Sequence, residues 1–196
     1  MKPSTAKFLI LFSLSGATLL LITCAQSGSK PLTEAELVQR GAYLVSSGLC
    51  NDCHSPKKFT AAGPVPDESI LLSGHPASLP ALEFPADKLD PNGWAVTANA
   101  HFTAWAGPWG VSFTANLTPD EKTGLGSWKV EDFIKAMRSG KHMGTGRDIL
   151  PPMPWPLIGK MSDDDLKAIF AYLQSLPAVP NLVPGPIPPP APPAQN

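Results

Sequence analysis

The apolar positions of this chain follow a helical spacing in three stretches, and each stretch is bounded by capping signals. A capping box opens the first stretch, a glycine closes the second, and a serine followed by three aspartates opens the third. We therefore predict helices over residues 33–48, 129–139 and 162–177. Their apolar positions are Leu37, Tyr43, Leu44 and Val45 in the first, Val130, Phe133, Ile134 and Met137 in the second, and Leu166, Ile169, Phe170 and Leu173 in the third.

The segment between the first two helices, residues 55–115, has little periodicity and is broken by prolines. We interpret it as a long irregular insertion, with room for short strands or single helical turns near residues 94–98 and 110–114. A second proline-rich stretch, residues 179–196, is predicted to be an extended tail. The predicted fold class is all-α. The aromatic side chains expected to pack the insertion are Trp94, Phe102, Trp105, Trp109 and Phe113.

The N-terminus has the pattern of an export signal. Lys2 and Lys7 form a positive region, and residues 8–22 are apolar but short for a membrane-spanning helix. The run ends in Leu-Ile-Thr-Cys at residues 21–24, which resembles a bacterial lipobox with threonine where a smaller residue is usual, and makes Cys24 a candidate lipidation site. An ordinary cleaved signal peptide and an uncleaved anchor are the alternatives. We expect a signal over residues 1–24, a linker over 25–31 and a folded domain over 32–178.

Composition narrows the function classes. The chain has 196 residues, 24 prolines and a formal net charge of −1, so it is not a basic nucleic-acid binder. It has three cysteines. If one carries lipid and the other two act together, none remains for a disulfide.

Two of the cysteines belong to the most informative motif. Cys50, Cys53 and His54 read C-x-x-C-H, the pattern of covalent c-type haem attachment. Two thiols on one helical turn can add to the haem vinyl groups, and the adjacent histidine can then ligate the iron. A thioredoxin-like pair does not need the histidine, a zinc site needs more ligands, and a disulfide across two residues would be strained. The sequence therefore predicts one covalent haem c.

An electron-transfer haem usually has a second axial ligand, and Met153 is the best candidate. Prolines on both sides of Met153 restrict its loop, so little entropy is lost in holding the thioether at the iron. Met143 is the runner-up among flexible glycines, and His142 would give a bis-histidine haem of lower potential. Met137 is expected in the core, Met161 lies close to the last helix, and His75 and His101 are expected to have structural roles.

Taken together, these features resemble the class I c-type cytochrome family. Residues 116–184 resemble bacterial cytochromes c related to the cytochrome subunits of membrane-bound dehydrogenases. The resemblance implies a cytochrome c fold, Met153 as the iron ligand, and a crossing contact between the terminal helices. Members of that group often carry two or three haem domains, whereas this sequence has one C-x-x-C-H. The matching residues are Gly41, Tyr43, Tyr172 and Leu173 at the crossing, then Asn116–Asp120, Thr123–Gly126, Phe133, Arg138–Gly140, Pro151–Trp155 and Asp163–Ile169.

Three functions follow from this interpretation. The first is an exported carrier of single electrons between redox proteins such as a dehydrogenase, another cytochrome or a terminal oxidase, and it requires no catalytic residue. The second is a haem enzyme of peroxidase type, which would need an open iron site and a proton-handling group. The third is an anchored cytochrome subunit of a dehydrogenase or oxidase complex, attached to the membrane by lipid or by its signal sequence.

Overall fold

The computed structural model describes residues 32–90, 93 and 95–191, so the predicted signal sequence and Cys24 lie outside it. Within these residues the chain forms five α-helices and two antiparallel sheets. The expectation of an all-α fold is therefore wrong. In chain order the elements are α1 (Glu34–Ser47), α2 (Cys50–His54), β1 (Lys57–Thr60), β2 (Gly63–Pro66), β3 (Thr97–Ala98), β4 (Ala104–Gly107), β5 (Gly110–Phe113), α3 (Val130–Ser139), α4 (Trp155–Ile158) and α5 (Asp163–Ser175).

The three predicted helices form where their capping signals lie. At α1 the Thr33 hydroxyl accepts a hydrogen bond from the Glu36 amide, and the Glu36 carboxylate accepts one from the Thr33 amide at 2.8 Å. Gly140 ends α3 with a left-handed φ of 69°. The Ser162 hydroxyl accepts from the Asp165 amide at 3.1 Å and so opens α5.

The first and last helices pack directly against each other. At their crossing Gly41 leaves no room for a side chain, because a Cβ atom there would lie 1.9 Å from the Ala168 carbonyl oxygen and 2.7 Å from the Tyr172 Cβ atom. This confirms the predicted crossing contact between Gly41 and Tyr172, whereas Tyr43 is 63% exposed. The buried core at this crossing is built from α1, α3, α5 and two loop residues, and it consists of Val45, Leu72, Leu125, Phe133, Ala136, Met137, Leu166, Ile169 and Leu173.

The segment predicted as an irregular insertion forms both sheets. Strands β1 and β2 make a hairpin, and β3, β4 and β5 form a three-stranded sheet in that order. The buried side chains of the three-stranded sheet are small, and they include Ala104, Ala106 and Val111. The side chain of Phe102, which precedes β4, is 44% exposed. Trp94 lies outside the described residues. Strands of two to four residues with small buried side chains give too weak an alternation to be recognised from sequence.

The proline-rich tail is extended and runs along this body as far as residue 191. Ile187 exchanges two backbone hydrogen bonds with Val111 of β5, at 2.8 and 2.9 Å. The Asn181 amide group donates to the carbonyls of Ser73 at 2.7 Å and His75 at 2.9 Å. These bonds fasten the tail to the loop that follows β2 and to the three-stranded sheet.

Within the described part of the chain, every helix is too short or too polar to cross a bilayer.

Candidate haem site

The C-x-x-C-H motif forms a helix of its own, α2. The chain enters it through Leu49, whose left-handed φ of 59° turns the backbone sharply after α1. Because α2 is little more than one turn long, the Cys50 and Cys53 side chains leave the same short segment. Both cysteines are half-buried free thiols, and burial raises the pKa of each. Two free thiols on one turn are the arrangement that covalent haem attachment requires.

His54 is buried, and its ring orientation is fixed by one hydrogen bond. Its Nδ1 atom lies 2.8 Å from the Ala115 carbonyl oxygen, and since a carbonyl only accepts, Nδ1 carries the proton. The other ring nitrogen, Nε2, has no hydrogen-bond partner among the described residues and is not fully enclosed. Burial lowers the pKa of the ring and favours its neutral form. His54 therefore presents a free lone pair, as a metal-ligating histidine does.

Two polar side chains after the motif fix α2 in place, and sequence reasoning identified neither. The Ser55 hydroxyl donates to the Asn51 side chain at 3.0 Å and accepts from the Leu72 amide at 2.9 Å, which ties the end of α2 to the core loop. The buried Lys57 ammonium donates to three backbone carbonyls of this turn. A lysine three residues after the histidine was the available signal, because lysines often bond the last carbonyls of a helix.

Met153 lies in a loop that is held from two sides. The Ser112 hydroxyl of β5 donates to the Pro151 carbonyl at 2.5 Å, and the Ile149 amide donates to the Gly140 carbonyl at 2.7 Å. The Met153 side chain is half-buried and packs against the helical core. The loop is therefore held by the sheet and by the end of α3.

The Met153 loop and the attachment turn border one apolar region. Cys50 and Met153 both pack against the core formed by α1, α3 and α5, among apolar side chains that are only partly buried. A flat apolar ring would cover such side chains and remove them from water. Thiols, a free imidazole nitrogen, a thioether and an apolar border together fit a haem c. The half-buried side chains of this border include Leu44, Leu117, Trp128, Ile134, Ile149, Ile158 and Phe170.

The other candidate ligands, one methionine and three histidines, lie in different environments from Met153. Met143 is 40% exposed in a short 3-10 turn, and its φ is 52°. The His142 ring packs edge-on against Trp128, with ring centres 4.9 Å apart. The His75 ring is buried with Nδ1 3.0 Å from the Thr103 hydroxyl, and His101 accepts a hydrogen bond from the Lys57 amide at 3.1 Å.

Two further methionines among the described residues lie in the core or pack against it. Met137 lies in the core, as predicted, and Met161 packs against that core from the segment before α5. Met137 lies within α3, and Met161 lies in the short segment between α4 and α5.

Comparison with known proteins also indicates a haem-binding protein. No protein-family model matches the chain. The gluconate 2-dehydrogenase cytochrome c subunit of Pantoea cypripedii is 32% identical over 136 residues, which is 69% of this chain and 22% of that protein. The fructose dehydrogenase cytochrome subunit of Gluconobacter japonicus is 29% identical over 138 residues, or 70% of this chain and 21% of that protein. The cytochrome c subunit of the quinone-dependent alcohol dehydrogenase of Gluconobacter oxydans is 40% identical over 65 residues, or 33% of this chain and 13% of that protein.

These matches are partial with respect to the relatives, because the chain spans about a fifth of their length or less. Each of the three relatives is a cytochrome subunit of a dehydrogenase, which agrees with the candidate haem site around α2. The chain is a c-type cytochrome related to the cytochrome c subunits of membrane-bound dehydrogenases.

Proposed function

We propose that this chain is a single-electron carrier that binds one haem c, with Cys50 and Cys53 as attachment residues and His54 and Met153 as axial ligands. The observation that carries the proposal is the state of His54. Its Nδ1 proton is committed to the Ala115 carbonyl, so the lone pair of Nε2 is available beside two free thiols. The related dehydrogenase cytochromes support the same function.

Hydrogen bonds around the site hold the two proposed ligand residues in place. Ala115 holds the imidazole in one tautomer and one orientation, and Ser112 together with Pro151 holds the loop from which Met153 approaches. When bound, the haem supplies a reversible one-electron change at its iron. Met153 would supply a thioether ligand to the bound haem, which would raise its reduction potential and leave no ligand position free for a substrate. Electron transfer then needs no acid or base from the chain.

Covalent attachment is the first test. The holoprotein, produced with a c-type haem maturation system, should keep its haem after denaturation in acid, and the double variant Cys50→Ala, Cys53→Ala should not. Cys24→Ala is the matched control, because it removes the third cysteine of the chain and should leave the haem in place. Because the haem completes the apolar region beside the core, we expect the apoprotein to be largely unfolded. A well-folded double variant without haem would contradict the proposal.

We also propose that the electron donor is a dehydrogenase and that the acceptor is another cytochrome or a terminal oxidase. The three relatives are cytochrome subunits of gluconate, alcohol and fructose dehydrogenases, which supports this class of partner. A dehydrogenase gene next to the gene of this chain would identify the candidate electron donor. The ferric holoprotein should be reduced within the assay time when it is mixed with the neighbouring dehydrogenase and its substrate. No reduction by that enzyme would contradict this assignment of the donor.

The place of action that we propose is outside the cytoplasm, with residues 1–24 as the export signal and Cys24 as a lipid anchor. The motif at residues 21–24 supports the anchor, and residues 32–178 would form the exported domain. One acyl chain binds membranes only marginally, so a stable anchor needs the several chains of a bacterial lipoprotein. Mass spectrometry of the mature N-terminus should find a lipid-modified Cys24. An unmodified start at Ala25 or later would indicate a cleaved signal and no anchor.

A further inference from the structure

Lys57 occupies an unusual position behind the haem-attachment turn. It is buried, and its Nζ atom donates to the carbonyl oxygens of Asn51 at 2.9 Å, Asp52 at 2.8 Å and Ser55 at 2.8 Å. All three ammonium protons are therefore used. Asn51 and Asp52 lie in α2, and Ser55 is its C-cap. The Asn51 carbonyl also accepts a hydrogen bond from the Ser55 amide at 3.2 Å, whereas the Asp52 and Ser55 carbonyls have no backbone amide donor among the described residues.

The charge of Lys57 is not neutralised by an ion pair. None of the salt bridges formed by the described residues includes it. Its neighbour Lys58 is the opposite case, because the Lys58 side chain is 60% exposed and pairs with Asp67 at 2.9 Å. Burial lowers the pKa of Lys57, whereas the nearby Asp52 acts to raise it. Carbonyl dipoles directed at the ammonium also favour its charged form.

We propose that Lys57 is a positioning residue that caps α2 and, through its buried charge, raises the reduction potential of the haem. The inference rests on the proposed function and adds a second determinant of potential to the Met153 ligand. A fixed positive charge close to the haem favours the ferrous form, which carries one positive charge less than the ferric form. The effect should be larger than that of an exposed, ion-paired lysine, because a charge shielded from water is screened less by the solvent and its salt.

The capping role has a separate structural consequence. The three carbonyls flank Cys53 and His54 on both sides, so the ammonium holds the backbone that carries one thiol and the axial imidazole. The hydrogen bond between His54 and Ala115 depends on the same backbone position. Removing the ammonium therefore takes a hydrogen bond from each of the three carbonyls, and it leaves those of Asp52 and Ser55 without a donor among the described residues.

The test compares four variants of the holoprotein by redox titration. Lys57→Met removes the charge and the donors, Lys57→Gln keeps an amide donor without charge, and Lys57→Arg keeps the charge. Lys58→Met is the matched control, since it removes the same formal charge from the adjacent, exposed and ion-paired lysine. We expect Lys57→Met and Lys57→Gln to shift the ferric–ferrous equilibrium toward the ferric form by about tenfold, which corresponds to about 59 mV for one electron. Lys57→Arg and Lys58→Met should stay close to the wild-type potential.

The yield of covalent haem is the second measurement. A lower yield for Lys57→Met than for Lys57→Gln would support capping by hydrogen bonds. Loss of holoprotein in Lys57→Met and Lys57→Gln, but not in Lys57→Arg, would support a cationic cap. A wild-type potential in Lys57→Met and Lys57→Gln, an equal shift in Lys58→Met, or loss of holoprotein in Lys57→Arg as well would overturn the proposal. Absence of covalent haem from the wild-type protein would instead refute the proposed function.

Discussion

The crossing of the first and last helices allows a quantitative prediction for Gly41→Ala. The added Cβ atom would lie 1.9 Å from the Ala168 carbonyl oxygen, about 1.5 Å closer than the 3.4 Å at which ordinary van der Waals contact begins. The obstacle is backbone, so it cannot be relieved by a change of rotamer. Helices α1 and α5 must move apart, and they carry buried core residues such as Val45 and Leu173.

The expected magnitude combines two opposing effects. Overpacking of this kind costs about 1–3 kcal/mol, and a forced displacement of helix backbone belongs at the upper end of that range. Alanine gains about 1 kcal/mol over glycine in a helix interior. We therefore expect Gly41→Ala to lower the free energy of unfolding by about 2 kcal/mol, because the clash outweighs the gain in helix propensity.

Denaturation of the holoprotein in guanidinium chloride, followed by far-ultraviolet circular dichroism and by haem absorbance, measures this loss. The midpoint should fall while the slope of the transition stays the same. Gly185→Ala is the control, because a Cβ atom at Gly185 meets nothing within 4 Å, and its effect should stay within about 0.5 kcal/mol. A wild-type midpoint for Gly41→Ala, or an equal fall for Gly185→Ala, would refute the packing argument.

Two further predictions concern the sheet and the tail. Ser112→Ala removes the hydroxyl that donates to the Pro151 carbonyl, so the far-red absorbance of a methionine-ligated ferric haem should be lost at a lower temperature, with a cost of about 1 kcal/mol. Ser175→Ala removes a similar hydroxyl-to-carbonyl bond at the end of α5 and should not change that temperature. Asn181→Ala removes three hydrogen bonds to residues 73–77 and should lower the free energy of unfolding by about 2–3 kcal/mol in chemical denaturation. The neighbouring Leu182→Ala, at a side chain that is 73% exposed, should have little effect, and equal losses for the two variants would contradict the assigned role of the tail.

The sequence predicts three of the helices, α1, α3 and α5, because their determinants are local. The capping box at Thr33 and the cap at Ser162 lie within three residues of the groups that they bond. Gly140 ends α3 through its own backbone conformation. The C-x-x-C-H motif likewise needs only one helical turn. Such short-range rules can be recognised without knowledge of the tertiary structure.

The parts that sequence reasoning missed depend on distant contacts. The hydroxyl of Ser112 reaches Pro151, which is 39 residues away, and His54 bonds to Ala115, which is 61 residues away. The three-stranded sheet has strands of only two to four residues, so its pattern is weak, and its edge is completed by Ile187 of the tail. Sequence reasoning also missed Lys57, because its partners are backbone carbonyls, which a residue of any type can supply.

The central claim is that His54 and Met153 hold the haem iron between them, and the far-red absorbance band of sulfur-ligated ferric haem tests it most directly. The account predicts this band in the wild-type protein and in Met143→Ala, together with a low-spin haem in both oxidation states. In Met153→Ala the band should disappear, the potential should fall, and carbon monoxide should bind the reduced iron. Loss of the band in Met143→Ala instead, or its absence from the wild-type protein, would contradict the assignment of Met153 as the axial ligand.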